Sequence, residues 1–356
     1  KPGYLPNDEV YSFDASYTDQ TLELLAFSEE ISNQPTITEF AKVDLTGGQE
    51  IEGAKMQILD QDGKVVEEWV SKKEPHVVYA LEPGEYVLHE EQAPTEQGYV
   101  RAEDVKFVVE ETVDVQKVKM EDDHTKVSIS KTDITDGKEI EGAKLQILDQ
   151  DGEVVESWTT GEEHLIEYLP VGTYTLHEEA AVDGYIVAND VEFTVEETGE
   201  IQKVKMEDER AMGQLVIVKT DTDSKAALEG VEFVLLEKET GEEVGRLKTG
   251  KDGKAVSELL PIGTYETGVF KEPITYVLKE TATLKGYEKT EEEWEIVFTY
   301  QNDKTPVIEV VKEIQNKKIP ETPGTVKPGP KTGDDTNWFL PLLALGVSAG
   351  MVAGLL

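Results

Sequence analysis

The 356-residue chain contains no cysteine. That excludes disulfides, thiolate nucleophiles, Cys-based zinc sites and thioester chemistry, so any stiffness must come from another source. Basic residues are also scarce: 34 Lys and Arg face 75 Asp and Glu, for a formal net charge of -41. Phosphate binding needs clustered cations, so nucleic acid is excluded as a partner, and an anionic lipid surface is repelled in the same way. Dense negative charge instead keeps an extended protein soluble and its parts separate. Histidine is rare, with 5 in the chain. His89 and His177 alternate outward on their strands without a partner at ligand spacing, so no metal site is expected. No nucleophile–His–acid set and no glycine-rich phosphate loop is present, and no cofactor is implied. The chain opens at Lys1 without a signal peptide, so it reads as processed or as a fragment.

What is present is repetition. The block IEGAKMQILDQDG at 51–63 returns as IEGAKLQILDQDG at 140–152, and AEDVKFVVEET at 102–112 returns as ANDVEFTVEET at 188–198. A more divergent copy, beginning LEGVEF at 228–233, occupies the third position. These copies define units at 35–124, 125–210 and 211–317. Residues 1–34 read as the second half of a fourth unit, because Gly3-Tyr4 followed by Tyr11, Phe13 and Tyr17 parallels Gly286-Tyr287 followed by Trp294, Ile296 and Tyr300. Each unit is large enough to bury one modest core. The turns Asp60-Gln-Asp62-Gly63 and Asp149-Gln-Asp151-Gly152 lack the further ligands of a calcium loop and read as hairpin turns.

Within each unit apolar residues alternate over short runs, such as Val127 and Ile129, Leu145 and Ile147, or Val191, Phe193 and Val195. Period two with frequent turn signals predicts an all-β chain of tandem antiparallel sandwiches, Ig-like in class. Three strands of each unit end their inward stripe on an ionisable or amide residue. In the second unit these are Lys131, Glu178 and Asp208; in the first Lys42, Glu90 and Asp122; in the third Lys219, Glu280 and Asn316. The half unit supplies only an acceptor, Asn33. Side chains two apart share a face, so each trio is expected to point inward.

A buried lysine with buried acids is driven toward neutral forms unless it is paired. A neutral amine beside a carboxyl or carboxamide is a nucleophile facing an electrophile, and a protonated glutamic acid can polarise the carbonyl and shuttle protons. The expected product is a Lys–Asp or Lys–Asn isopeptide bond, formed once with loss of water or ammonia, with Glu90, Glu178 and Glu280 as promoters. The competing reading is a simple buried salt bridge, which contributes little to stability.

The Lys-Thr-Asp (Lys-Val-Asp at Lys42) closing the first strand resembles the Cna-B-type, SpaA-like repeats of Gram-positive surface proteins. So do the boxes YVLHEEQAPTEQGY, YTLHEEAAVDGY and YVLKETATLKGY, and the terminal I/M-x-N/D. That resemblance implies a prealbumin-like fold and the isopeptide trio at the positions above. Asp replaces the commoner Asn in two units, and the second and third boxes lack the usual Ala-Pro.

After Asn316 the composition shifts to KKIPETPGTVKPGPK at 317–331, with a Pro/Gly-rich spacer placed at 318–329. Residues 330–356 follow with Pro330-Lys331-Thr332-Gly333, two aspartates and an uncharged run over 338–356, long enough for a transmembrane helix. Spacer, Pro-x-Thr-Gly, apolar span and chain end are together similar to an LPXTG-type sorting signal, with Gly329 where that motif usually has Leu. The resemblance implies sortase as a partner, Thr332 and Gly333 as the scissile pair, peptidoglycan as the acceptor, and membrane retention before processing.

The expected function is an extracellular, cell-wall-anchored stalk projecting an N-terminal adhesive or other domain toward a host or neighbouring-cell ligand. Substrate turnover is not expected. Two alternatives are a pilin subunit, for which no Tyr-Pro-Lys-like motif is seen around Lys72 and Lys73, and an adhesin whose repeats themselves bind a ligand. With a cognate sortase and a wall-type amine acceptor, the tail is expected to be cut after Thr332. Thr332→Ala is expected to leave the protein in the membrane fraction; covalent attachment of that variant to the wall would overturn the assignment.

Overall fold

The structure, a computed structural model, describes residues 1–12 and 32–320. The sorting motif with Thr332 and Gly333, and the span expected at 338–356, lie outside the described residues. No helix among the described residues is long and apolar enough to cross a membrane.

The short alternating runs become strands. The first group comprises β1 (Ile37–Asp44), β2 (Lys55–Leu59), β3 (Val65–Val70), β4 (His76–Tyr79), β5 (Gly84–Gln92), β6 (Val105–Val109) and β7 (Val115–Asp122). The second comprises β8 (Lys126–Asp133), β9 (Lys144–Leu148), β10 (Val154–Thr159), β11 (His164–Glu167), β12 (Gly172–Ala180), β13 (Tyr185–Ile186), β14 (Val191–Val195) and β15 (Ile201–Arg210). In the third, β16 (Met212–Asp221), β17 (Glu232–Glu237), β18 (Glu243–Lys248), β19 (Lys254–Val256) and β20 (Leu260–Pro261) come first. They are followed by β21 (Gly263–Glu266), β22 (Val269–Pro273), β23 (Thr275–Ala282), β24 (Glu293–Val297) and β25 (Val307–Asn316).

Each group forms two facing sheets. One has the order β3-β2-β5-β6, repeated as β10-β9-β12-β14 and β18-β17-β23-β24. The other is β4-β1-β7, then β11-β8-β15-β13, then β19 and β20 with β16, which also pairs with β25. Most pairings are antiparallel, as the alternation predicts. The first and last strands of each group are the exception: β1 with β7, β8 with β15 and β16 with β25 run parallel. Period two carries no information on direction, and here the whole group serves as the long crossover that a parallel pair requires.

The inward residues of both sheets meet in one core per group. Phe40, Met56, Ile58, Leu88 and Met120 fill the first; Ile129, Leu145, Ile147, Leu176 and Met206 the second; Ile217, Phe233, Leu235, Leu278 and Ile314 the third. Each such side chain contributes about 1.5–3 kcal/mol by leaving water. The hairpin turns also close as read: Asp60 accepts the amides of Asp62 and Lys64, and Asp149 those of Asp151 and Glu153.

One contact recurs at the end of each group, where the tyrosine of the Gly-Tyr box pairs with the chain at or just past the last strand. Tyr4 bridges to Pro35, Tyr99 to His124 and Tyr287 to Lys318, while Tyr185 pairs with Arg210. Between the first two groups the Tyr168 ring stacks on His124 at 3.9 Å, and its hydroxyl donates to Asp44 at 2.8 Å. Between the second and third, the β21–β22 hairpin reaches back. Tyr265 donates to the Gly184 carbonyl at 2.8 Å, Arg210 lies 4.2 Å above the Tyr265 ring, and Tyr265 joins a small core with Ile140, Ala143 and Tyr185. At the hairpin tip Gly268 has φ +67°, and a Cβ there would lie 2.2 Å from the Glu139 carbonyl oxygen. Gly268→Ala is therefore expected to unseat the hairpin at a cost of about 1–3 kcal/mol. Hydrogen exchange should quicken at Tyr265 and Tyr185 while β8 and β15 stay protected; unchanged exchange at the junction would refute this.

Candidate functional site

Parallel pairing of first and last strands decides where the lysines end up. In register, Lys42 lies across from Met120 and Asp44 from Asp122; Lys131 from Met206; and Lys219 from Ile314, with Asp221 opposite Asn316. Each lysine therefore reaches along the ladder to an acceptor on the neighbouring strand that shares its inward face. The glutamate comes from the opposite sheet, on β5, β12 or β23. In every group the pairing slips just after it, so that Met56, Leu145 and Phe233 face Glu90, Glu178 and Glu280 while the next residue of the partner strand pairs two positions on. Such a bulge re-aims a side chain, and its place beside each glutamate is a signal that alternation alone does not carry.

All nine trio residues of the three groups are brought together and buried. Lys42 Nζ contacts Asp122 Oδ1 and lies 2.9 Å from Glu90 Oε2, with both acids at 0 % exposure. Lys131 Nζ contacts Asp208 Oδ1 and lies 3.0 Å from Glu178 Oε2. Lys219 Nζ lies 2.5 Å from Asn316 Oδ1 and 2.9 Å from Glu280 Oε2. Asn33 is exposed and stands two residues before the Tyr4–Pro35 bridge, the position that Asp122 and Asn316 hold before theirs. His89 and His177 each bond a neighbouring aspartate, Asp104 and Asp190, at 2.7 Å.

Burial dominates the electrostatics. Asp122 is pushed up to about 7 by desolvation, with Lys42 opposing and Glu90 reinforcing the shift; Asp208 is pushed up to about 7 for the same reasons with Lys131 and Glu178. Burial likewise pushes the Lys219 amine below its ordinary value, against the pull of Glu280. In the two aspartate trios, Glu90 Oε1, Asp122 Oδ2, Glu178 Oε1 and Asp208 Oδ2 have no donor. Two carboxyl groups facing each other in a dry site repel, which adds to the upward shift of each aspartate. In the third trio the carboxamide brings its own hydrogens: Asn316 Nδ2 donates to Glu280 Oε1 at 2.6 Å and to Thr283 Oγ1 at 2.7 Å.

Supporting groups extend beyond the residues visible in the sequence pattern. The Ala102 and Ala188 amides donate to Glu90 Oε2 at 2.8 Å and Glu178 Oε2 at 2.6 Å, which gives the repeated AEDV and ANDV stretches a role. The aspartate two residues past each lysine holds the Gly-Tyr box. Tyr185 donates to Asp133 at 2.7 Å, while Tyr99 and Tyr287 sit beside Asp44 and Asp221. The invariant pairing of the two motifs could have suggested this contact, since they lie far apart in the chain and return together.

Compared with known protein families, residues 36–124, 125–210 and 213–273 match the SpaA prealbumin-like fold domain. The chain belongs to the SpaA prealbumin-like domain family. Among solved structures, the Bacillus anthracis TIE protein aligns at TM-score 0.55 and 26% identity over 80% of this chain. The chain spans about half of that protein, 52% of its length. BcpA, the major pilin subunit of Bacillus cereus, aligns at TM-score 0.45 and 15% identity, over 80% of this chain and 99% of its own. A streptococcal ancillary pilin gives TM-score 0.33 and 16% identity, over 80% and 99%. No curated protein sequence matches. The third SpaA match stops at the end of the β21–β22 hairpin, so Glu280 and Asn316 take their places on geometry.

The raised Asp208 value makes a signed prediction for a protein in which Lys131→Met removes the amine but keeps the stem. The aspartate titrates near 3.8 when unfolded and about 7 when folded, so the folded state holds the extra proton between those values. Its contribution is fully present below pH 3.8 and is lost as pH rises through about 7, and loss of the cation moves the folded value further up. Stability of the second group should fall by about 1.4 kcal/mol per pH unit across that window. Thermal melts at pH 4 and pH 7 measure it, and a flat profile would count against a protonated Asp208.

Proposed function

We propose that the chain is a cell-wall-anchored stalk whose sandwich repeats are locked by isopeptide bonds Lys42–Asp122, Lys131–Asp208 and Lys219–Asn316. The observation that carries this reading is topological: each trio ties the first strand of its group to the last. In every trio a lysine amine contacts the acceptor's side-chain oxygen, and a buried glutamate lies at 2.9–3.0 Å. In the aspartate trios a protonated glutamate would polarise the acceptor carboxyl, while in the third Glu280, which accepts from Asn316 Nδ2 at 2.6 Å, would pass a lysine proton to the leaving nitrogen; attack of the neutral amine on the carbonyl carbon then expels water from Asp or ammonia from Asn. Each glutamate returns to its starting state, and the reaction runs once per domain.

On this reading load enters a domain at its first strand and leaves at its last. It would cross from Lys to Asp or Asn near the C-terminal ends of both strands and bypass ladders whose bonds are worth about 1 kcal/mol each. Near-identical first and second repeats support a spacer role, since a binding surface seldom needs two copies. The tail adds the sorting signal at Thr332–Gly333, with sortase and peptidoglycan as partners and an extracellular location. An adhesive or other domain would sit on the N-terminal side, with Asn33 as the acceptor of a further repeat. A pilin role is the second reading, and family membership suits it equally. The absence of a Tyr-Pro-Lys-like motif in the sequence disfavours it.

Crosslinked peptides from the purified protein should lack one water across Lys42–Asp122 and Lys131–Asp208, and one ammonia across Lys219–Asn316. Full sequence mass at all three would falsify the crosslinks. In single-molecule pulling the intact repeats should show almost no unfolding steps. Glu178→Ala should release one step for the 77-position separation of Lys131 and Asp208, at roughly 3.3–3.6 Å per residue. Stepwise unfolding of the unmutated protein would refute the locked stalk.

A further inference from the structure

Four residues pair with the tyrosine of a Gly-Tyr box: Pro35, His124, Arg210 and Lys318. Arginine and lysine keep their charge throughout the ordinary pH range, whereas imidazole takes up its charge between about pH 5 and 8. Among these four, the titratable side chain in that window is the one at the contact between the first and second groups.

His124 is 1 % exposed and sits between two carboxylates. Its Nε2 lies 3.1 Å from Oε1 of Glu167, on β11 of the second group, and its Nδ1 lies 3.5 Å from Asp123 Oδ1. Carboxylates only accept. A neutral ring with its one N–H on Nε2 therefore bonds Glu167 and leaves Nδ1 as a bare lone pair facing an anion. That nitrogen is buried and has no hydrogen-bond partner. A proton on Nδ1 turns the repulsion into attraction and gives each acid a donor. The charged ring also lies on the face of Tyr168, 3.9 Å away, where an electron-rich π face attracts a cation.

The other groups around the ring hold their charge state. Lys126, on β8, bonds Asp123 at 2.7 Å; burial works against the Asp123 charge, but Lys126 and the His124 amide hold its carboxyl below the ordinary value. Tyr99 meets Tyr168 edge-on, and the Tyr168 hydroxyl donates to Asp44 at 2.8 Å. Burial pushes both tyrosines above their ordinary range, so they stay neutral. Tyr168 also holds φ +60° where its carbonyl meets Gly98. A non-glycine residue keeps such a backbone only while its surroundings hold it there, and the His124 stack is part of that hold.

We propose that the contact between the first and second groups is a proton-operated joint, in which protonated His124 clasps Glu167 and Tyr168 and loss of that proton loosens the joint. The contact between the second and third groups uses Arg210, bonded to Asp133 at 2.6 Å, and keeps its charge. Solvent supplies and removes the proton, and no covalent bond changes. The joint does not depend on the crosslinks, whose residues lie inside the sandwiches.

The test follows hydrogen exchange in the full chain at pH 5 and pH 8, with each amide normalised to its intrinsic rate at that pH. The Val171 amide on the Thr95 carbonyl and the Thr125 amide on the Gly98 carbonyl report the first joint. Their protection should be about tenfold higher at pH 5, the factor that one charge-assisted hydrogen bond supplies. The Val187 amide on the Asp303 carbonyl and the Ala211 amide on the Gly184 carbonyl report the second joint in the same sample, and should not change. His124→Gln should give the lower protection at the first joint at both pH values. Comparing the two joints of the unmutated chain needs no variant, so the test stands even if that substitution unseats the junction. Equal protection at both pH values in the unmutated chain, an equal response at both joints, or a response that survives in a folded His124→Gln would overturn the proposal.

Discussion

The architecture turns on a lysine that has nowhere to put its charge. Lys131 and Lys219 are 1 % and 0 % exposed, and taking an ammonium out of water costs several kcal/mol unless geometry and hydrogen bonds offset it. Only a partner on the neighbouring strand of the same sheet and another from the facing sheet can do so here. That requirement makes the first and last strands adjacent, parallel and in one register, because a slip of one residue would turn the acceptor outward. The bulge after the glutamate answers the same demand from the other sheet. A plain apolar core would not need either feature.

How much of this could be read beforehand follows from what each signal encodes. Alternation at Leu145 and Ile147, or Val191 to Val195, names strands and their inward faces, so sandwich class and the inward trio were legible. Strand direction was not, since period two is the same in both senses, and the parallel β1–β7, β8–β15 and β16–β25 pairs emerge only from the assembled sheets. The backbone amides of Ala102 and Ala188 escaped notice because a main-chain donor leaves no trace in residue identity. Thr283, which accepts from Asn316 Nδ2 at 2.7 Å, escaped because a single hydroxyl outside the trio leaves no periodic signal. The β21–β22 hairpin was hidden by divergence of the third copy, which keeps the motifs of the trio and changes the segment between them.

The aspartate of the Lys-x-Asp motif links chemistry to assembly. Asp44 caps its own turn through the Gly47 amide at 2.7 Å and also receives Tyr168 from the next group. Asp133 takes Tyr185 and the Arg210 guanidinium at 2.6 Å. Two residues beyond the buried lysine, the same strand that would carry the crosslink therefore also anchors the junction. Lysine position and junction geometry are not independent, since a shift of the strand that moved one would move the other.

If load passes through the trios, the compliance of the stalk moves out of the sandwiches and into the places between them. Those places are unlike one another. Between the first and second groups Tyr168 stacks on His124, packs edge-on against Tyr99 and donates to Asp44, His124 Nε2 lies 3.1 Å from Glu167, and main-chain bonds such as the Val171 amide on the Thr95 carbonyl at 3.1 Å add to these. Between the second and third, the hairpin adds a buried aromatic cluster, a cation over the Tyr265 ring, and Tyr300 donating to the Tyr185 carbonyl at 2.9 Å. Apolar burial resists bending in every direction, whereas a stacked pair and a few hydrogen bonds resist mainly along their own axes. On that reading the junction next to the third repeat would bend less than the one before it.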